Sequence, residues 1–242
     1  KQHRLGGHFY LKYLINPKWS LTLNAKVLAN RDNGAFTLSS GIGDAFANPF
    51  HLDQNAVGQM VDNTFNGSLV VRYSGTHFNF SSQTAYQSNY RYYKDPVDGD
   101  FSPIDGVSII NNYGHVWNRV KTITQEFRLT SPAANRSPLK WTVGSYLFHQ
   151  AIPNKQGTHF GNDAMLLGSP DVNYTVINTT KNDNYGLAFY GQLQYALSKQ
   201  LFITGGLRYD YQQSKAEVSG EYKPDQSPQG FPTQADTSGK TN

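Results

Sequence analysis

The chain has 242 residues, a formal net charge of +4, 16% charged and 14% aromatic residues with sixteen Tyr, and no cysteine. Without cysteine, a disulfide framework and a zinc–thiolate site are excluded, and the mild, scattered charge gives nucleic-acid binding no support. No stretch approaches the roughly eighteen consecutive apolar residues of a spanning helix. The mean hydropathy of −0.57 does not exclude a membrane, because a barrel strand offers lipid only every second side chain.

Period-two alternation then marks strands in chain order. Phe9, Leu11, Tyr13 and Ile15 alternate with His8, Tyr10, Lys12 and Leu14. After Asn16-Pro17-Lys18, Trp19, Leu21, Leu23, Ala25 and Val27 alternate with Ser20, Thr22, Asn24 and Lys26. Leu69, Val71 and Tyr73 lead through Ser74-Gly75-Thr76 into Phe78 and Phe80, on a strand that continues to Tyr86. Ile123, Phe127 and Leu129 oppose Thr124, Glu126, Arg128 and Thr130; beyond the turn at Ser131 to Pro138, Leu139, Trp141, Val143 and Leu147 repeat the scheme. Tyr185, Leu187, Phe189, Leu193, Tyr195 and Leu197 reach Ser198-Lys199-Gln200, and Leu201, Ile203, Leu207, Tyr209 and Tyr211 return. The expectation is about eight strands in hairpins, joined by short turns at one end. Long, turn-rich segments join them at the other: Arg31 to Asn66, Lys94 to Arg119, Ala151 to Asn184 and everything after Tyr222.

Alternation alone does not separate a soluble sandwich from a membrane barrel. Two features favour the barrel. Several runs reach about ten residues, the length a tilted strand needs to cross a bilayer, against about five or six in soluble sheets. Aromatic residues of the apolar parity also gather near the turns (Tyr13, Trp19, Tyr73, Phe78, Trp141 and Tyr195), where an interfacial girdle falls. The predicted fold is an all-β, antiparallel transmembrane β-barrel segment. The start at Lys1, without a Met or a signal peptide, reads as a cut inside a larger polypeptide. Residues 223–242, rich in Pro and Gly, read as an extracellular loop.

Particular segments carry a family resemblance. Thr124-Gln125-Glu126-Phe127-Arg128-Leu129-Thr130-Ser131 followed by Leu139-Lys140-Trp141-Thr142-Val143-Gly144 strongly resembles a mid-barrel hairpin of TonB-dependent outer-membrane receptors. Tyr190-Gly191-Gln192, then Leu201 to Asp210 with its Gly206-Leu207-Arg208-Tyr209-Asp210 run, is similar to the next hairpin. Phe78 to Tyr86 resembles a third segment. The likeness covers about Asn66 to Tyr211. It implies that residues 1–242 belong to one barrel domain of about twenty-two strands, in the bacterial outer membrane, with a plug in the lumen. It further implies energised uptake of a chelated metal, a ferric siderophore foremost, with cobalamin, heme and glycan as the other cargoes of the family. The plug domain, the C-terminal strands and the segment that meets the TonB complex are absent from the sequence, so the TonB complex would be reached through segments outside this chain.

Candidate residues follow. Loop aromatics and their neighbours, Tyr90, Arg91, Tyr113, His115 and Trp117, are candidates for holding a large, partly aromatic, often anionic chelate. The plain alternative is an interfacial girdle, favoured for the Tyr90 group. Lumen-parity charges Arg72, Glu126, Arg128, Arg208 and Asp210 are candidates for bracing the plug, against the plain reading that a barrel lumen is polar anyway. The seven His are scattered and no metal centre or cofactor is expected. Asp95, Asp98, Asp100 and Asp105 crowd one loop, but their spacing is not that of a calcium-binding hand. Gly41-Ile42-Gly43 has no βαβ context, and no nucleophile elbow is present. A passive porin, a small self-contained barrel and a rim-located hydrolase remain the competing classes. Flanking sequence separates the first two from a receptor, and loss of hydrolysis on replacing one rim residue would identify the third.

Overall fold

A computed structural model describes residues 2–33, 42–47, 54–132, 137–224 and 234–241. The long strands are β1 (Gln2–Leu14), β2 (Trp19–Asp32), β3 (Met60–Ser74) and β4 (Asn79–Tyr93). After a hairpin of β5 (Val97–Asp98) and β6 (Val107–Asn111) come β7 (Arg119–Thr130), β8 (Leu139–Phe160), β9 (Tyr174–Ala196), β10 (Phe202–Pro224) and β11 (Gln234–Thr241). Among the described residues one helix, α1 (Ile42–Ala47), lies between β2 and β3, and a 3₁₀ turn at Ala164–Leu167 lies between β8 and β9.

All strands share one antiparallel sheet in the order β1-β2-β3-β4-β7-β8-β9-β10-β11, and the sheet is not closed. The β5–β6 hairpin branches from this path. Residues 107–111 of β6 pair with 156–160 of β8, and β7 pairs with 142–151 of the same strand. One edge of β8 is therefore covered by two successive strands with residues 112–118 looping between them.

The eight expected strands correspond to β1–β4 and β7–β10, with the short turns at one end. The first and last of these turns are closed by side chains. Asn16 Oδ1 accepts from the backbone N–H groups of Lys18 and Trp19 at 2.9 and 3.0 Å, and Ser198 Oγ accepts from those of Gln200 and Leu201 at 3.2 and 3.1 Å. These short side chains imitate a backbone turn. Asn16→Ala removes both acceptor contacts and is expected to cost about 0.5–1.5 kcal/mol, read as a lower denaturant midpoint of the complete, lipid-embedded barrel. No change in the midpoint would mean that Pro17 alone fixes this turn.

The long segments depart from the sequence reading. The stretch from Ala151 to Asn184, read as loop, is mostly strand: β8 continues to Phe160 and β9 begins at Tyr174. The tail read as loop from 223 contains β11, whose residues 234–241 pair with 214–221 of β10. Above the alternating portions, strands gain mixed Thr, Asn, Lys and Tyr composition because neither face there is uniformly apolar, and the period fades. The β-branched run Thr175-Val176-Ile177 with Thr179-Thr180 was the remaining signal. The middle of the turn expected at Ser131 to Pro138 lies outside the described residues, as do residues 34–41 and 48–53 of the segment from Arg31 to Asn66, Gly41 among them.

Register follows through the sheet without a slip from β1 to β10, so each face can be traced row by row. One row reads Tyr13, Leu21, Val71, Ser82, Phe127, Ser145, Phe189 and Tyr209. The next reads Leu11, Leu23, Leu69, Thr84, Gln125, Leu147, Leu187 and Tyr211. Large apolar side chains on this face stand uncovered, Leu207 at 87% and Phe189 at 60% exposure. The opposite parity is mostly polar over the same span, with Val70 and Ala188 among its apolar members.

Candidate functional site

The polar face gathers charge onto two adjacent rows. The first runs Ser20, Arg72, Ser81, Arg128, Gly144, Tyr190 and Arg208; the second runs Lys12, Thr22, Val70, Gln83, Glu126, Tyr146, Ala188 and Asp210. All five residues expected to face a plug therefore lie on two neighbouring rows, spread over β3, β7 and β10.

Three of the side chains on these rows are fused into one network. Arg128 Nη2 donates to Glu126 Oε1 at 2.7 Å, and Arg128 Nε donates to Tyr190 Oη at 3.1 Å. Tyr190 Oη donates to the same Glu126 oxygen at 2.6 Å. The Arg208 guanidinium lies 5.8 Å from the Tyr190 ring centroid and holds Asp210 in a forked pair, with Nε and Nη2 at 2.8–3.0 Å from its oxygens. Tyr190 is the member that alternation could not supply. Its ring starts on β9, crosses β8 and ends on β7, and it can do so because the residue it crosses is Gly144. A Cβ there would stand 2.4 Å from Tyr190 Cζ and Oη. Parity shows which face a side chain takes; only register reveals that a glycine lies beneath it. Arg72 stands apart, on the same row two strands from Arg128, at about 10 Å by strand spacing.

The loop candidates do not converge on one face. Tyr90 belongs to the apolar parity of β4, pairs with Arg119 across the strand boundary and carries its guanidinium 4.6 Å from the ring centroid. Its hydroxyl donates to the His115 carbonyl at 2.9 Å and accepts from Asn112 Nδ2 at 2.8 Å, so Tyr90 anchors the 112–118 loop. Tyr113 folds over Gly157 of β8, where a Cβ would meet its ring at 2.9 Å. Gly157 is on the apolar parity of β8, so Tyr113 lies on the outer continuation of that face. Trp117 lies there too, with Lys155 Nζ 5.6 Å and Lys181 Nζ 5.9 Å from its ring centroid. Arg91, by contrast, is on the polar face. It lines a recess of about 290 Å³ with Asn89, Tyr93, Asn111, Asn118 and Asn154.

The acidic loop is a scaffold of turns. Asp98 Oδ1 accepts from the N–H groups of Asp100 and Phe101, and its Oδ2 accepts from Asn55 N–H. Asp100 accepts from the Ser102 N–H and hydroxyl and from Val107 N–H, and Asp105 accepts from Asn162 across the loop. The carboxylates of Asp98, Asp100 and Asp105 are spent on separate backbone and side-chain donors, and among the described residues no three His, Asp or Glu side chains are placed to share a metal ion.

An open antiparallel meander with short turns at one end, one apolar face and one charged face is a wall segment of an outer-membrane type β-barrel. The sequence matches the family model for the TonB dependent receptor-like β-barrel over residues 9–240, and the chain belongs to that family, whose barrels are outer-membrane proteins of Gram-negative bacteria. Among solved structures it is similar to the ferric yersiniabactin uptake receptor FyuA from Yersinia pestis, with a TM-score of 0.67 at 15% identity over 99% of this chain and 33% of that one. The siderophore receptor PiuA from Acinetobacter baumannii aligns at a TM-score of 0.45 and 12% identity, over 91% of this chain and 40% of that one. The chain thus spans about a third of the length of the first of these receptors. No curated protein matches the sequence at a significant level.

Proposed function

We propose that this chain is part of the wall of an outer-membrane receptor for energised uptake of a chelated metal, with ferric siderophores as the cargo class. The apolar parity of β1–β4 and β7–β10 meets lipid, and the two charged rows of the other parity face the lumen and bear against a plug. The observation that carries this reading is the division of one continuous sheet into a predominantly apolar face and a face with Arg72, Glu126, Arg128, Arg208 and Asp210 on neighbouring rows. The family, and the fold shared with a receptor for ferric yersiniabactin, support the cargo class.

Energy coupling would come from the TonB complex acting through segments outside this chain. Arg91 and the asparagines around it offer the cargo a cation and amide donors at the rim of the lumen. Their recess lies at the lower end of the size range for small-molecule sites, so it suits one edge of a chelate and not the whole. Tyr90, Tyr113, His115 and Trp117 are assigned to the outer wall.

Deleting the gene in its native host tests the reading: growth with ferric siderophores as the sole iron source should fail while growth on free iron at high concentration continues. Unimpaired growth on ferric siderophores, with loss of growth on cobalamin or a glycan, would overturn the cargo class.

A further inference from the structure

On the polar face, β4 presents a line that runs from Arg91 through Asn89, Gln87, Ala85, Gln83 and Ser81 to Asn79. Below Arg91 the line carries no charge and no ring. Three recesses open on this face, and β4 contributes to each. The first is the recess around Arg91. The second, of about 260 Å³, includes Lys26, Asn66, Ser68, Ala85, Gln87 and Thr124 in its lining. The third, of about 490 Å³, lies at the turn end with Asn79, Thr130, Lys140, Thr142 and Gln194. Asn89 of the first recess and Gln87 of the second are successive members of the line, so these two recesses abut. From Arg91 to Asn79 the line covers about 40 Å of strand. At a tilt of about 40° that is about 30 Å of barrel height, the thickness of the hydrocarbon core.

The relief of this face follows from side-chain size. Ser68, Ala85 and Thr124 are consecutive members of one row, and the row then meets Phe148, whose ring lies over Gly186. On β8 and β9 the rings of Tyr146, Phe148 and Tyr190 fill the face, and Ala188, paired with Tyr146, is left 2% exposed. The charge is as uneven as the relief. Ser81 pairs with Arg72 on one side and with Arg128 on the other, so the line passes between two guanidinium groups. Two acids border it, and both are held: Asp62 Oδ1 accepts from Asn89 Nδ2 at 2.8 Å, and Glu126 is bound by Arg128 and Tyr190. Among the described residues Lys26, Arg72 and Arg91 form no ion pair. Lys140 stands at the foot, its ammonium also donating to the Pro132 carbonyl at 3.0 Å.

We propose that the polar face of β4 is a transit groove, along which an anionic metal chelate passes between the wall and the plug. The proposal rests on the uptake function proposed above. A cleft lined by one sign of charge concentrates solutes of the other. Passage also needs several weak stations in place of one tight site. The groove supplies them, with cations at its mouth, middle, narrows and foot, and amides and hydroxyls between. A seat for the plug has the opposite character. It holds by matched, fixed groups, as Glu126, Arg128 and Tyr190 or Arg208 and Asp210 provide on the neighbouring strands, and the β4 line offers no such pair.

The test uses the full-length receptor in cells that lack their own copy. The probes are radiolabelled ferric tris-catecholate and ferric citrate, both anionic, and a neutral ferric tris-hydroxamate. Ala85→Trp fills the second recess. It should slow energised uptake of the anionic chelate about tenfold and leave binding to de-energised cells unchanged. Lys26→Glu should slow uptake about threefold, and Lys26→Arg should retain the original rate. Gln212→Trp, on the same row but beyond the rings on β10, should have neither effect. Unchanged uptake in Ala85→Trp, an equal loss in Gln212→Trp, or loss of binding together with uptake would overturn the proposal. So would passive entry of vancomycin in Ala85→Trp, since a dislodged plug would identify the recess as its seat. Receptor-dependent uptake of the neutral chelate alone would overturn the anionic class. Uptake of none of the three would instead remove the cargo class on which the proposal rests.

Discussion

Gly144→Ala is expected to destabilise the complete, lipid-embedded barrel by about 2–6 kcal/mol, although alanine is ordinarily the easier residue to fix in a strand. The new Cβ would meet the Tyr190 ring at 2.4 Å and the Phe127 carbonyl oxygen at 2.8 Å. The ring has to leave, which strands Glu126 and Arg128 without their shared hydroxyl, and the carbonyl belongs to a ladder that has little freedom to move. Overpacking of this kind costs about 1–3 kcal/mol, and the broken hydrogen bonds add about 1–3 more. Gly186 provides the contrast. There the three nearest atoms to an added Cβ all belong to the Phe148 ring, at 2.1 to 2.9 Å. Gly186→Ala should therefore be largely tolerated once Phe148→Ala has removed the ring, whereas Gly144→Ala should remain costly even with Tyr190→Ala. Denaturant midpoints of the singles and doubles measure this. Full rescue of Gly144→Ala by Tyr190→Ala would show that the Phe127 carbonyl yields and that the ring contact was the whole effect.

These glycines mark the limit of what the sequence conveys. Alternation placed Glu126, Arg128, Arg208 and Asp210 on one face, since a strand fixes that with a period of two. It could not bring Tyr190 to them, because a cross-strand partner depends on register, and register is a property of the assembled sheet. The same reason explains the aromatic loop. Tyr113 and Trp117 lie in an irregular segment with no period, and their side of the wall became legible only once β6 and β7 were seen to share an edge of β8. The upper halves of β8–β10 were hidden for a different cause. Under the proposed assignment, lipid favours a two-sided division on the lower rows. Above them the outer face carries Lys155, Lys181 and Lys223, so both parities are polar and composition there resembles a loop.

The lipid assignment makes the sharpest demand on neighbouring residues. Leu193 and Gln192 are adjacent on β9, opposite Trp141 and Thr142 of β8 and Gly205 and Gly206 of β10. Local backbone and strand pairing are therefore alike for the two, and they differ in which side of the wall they meet. Leu193 is 55% exposed in this sheet, an exposure that is unfavourable in water and favourable against hydrocarbon. In the complete barrel, Leu193→Arg should cost about 2–4 kcal/mol if its row lies near mid-membrane and less toward the interface. Gln192→Arg should cost a few tenths at most, since its side chain faces a wet or plug-filled lumen already carrying Arg128 and Arg208. Both substitutions add the same charge and bulk, so side-chain size and strand propensity cancel in the comparison. Folding titrations in lipid read the difference directly, and equal costs for the two variants would mean that the apolar parity does not face the bilayer.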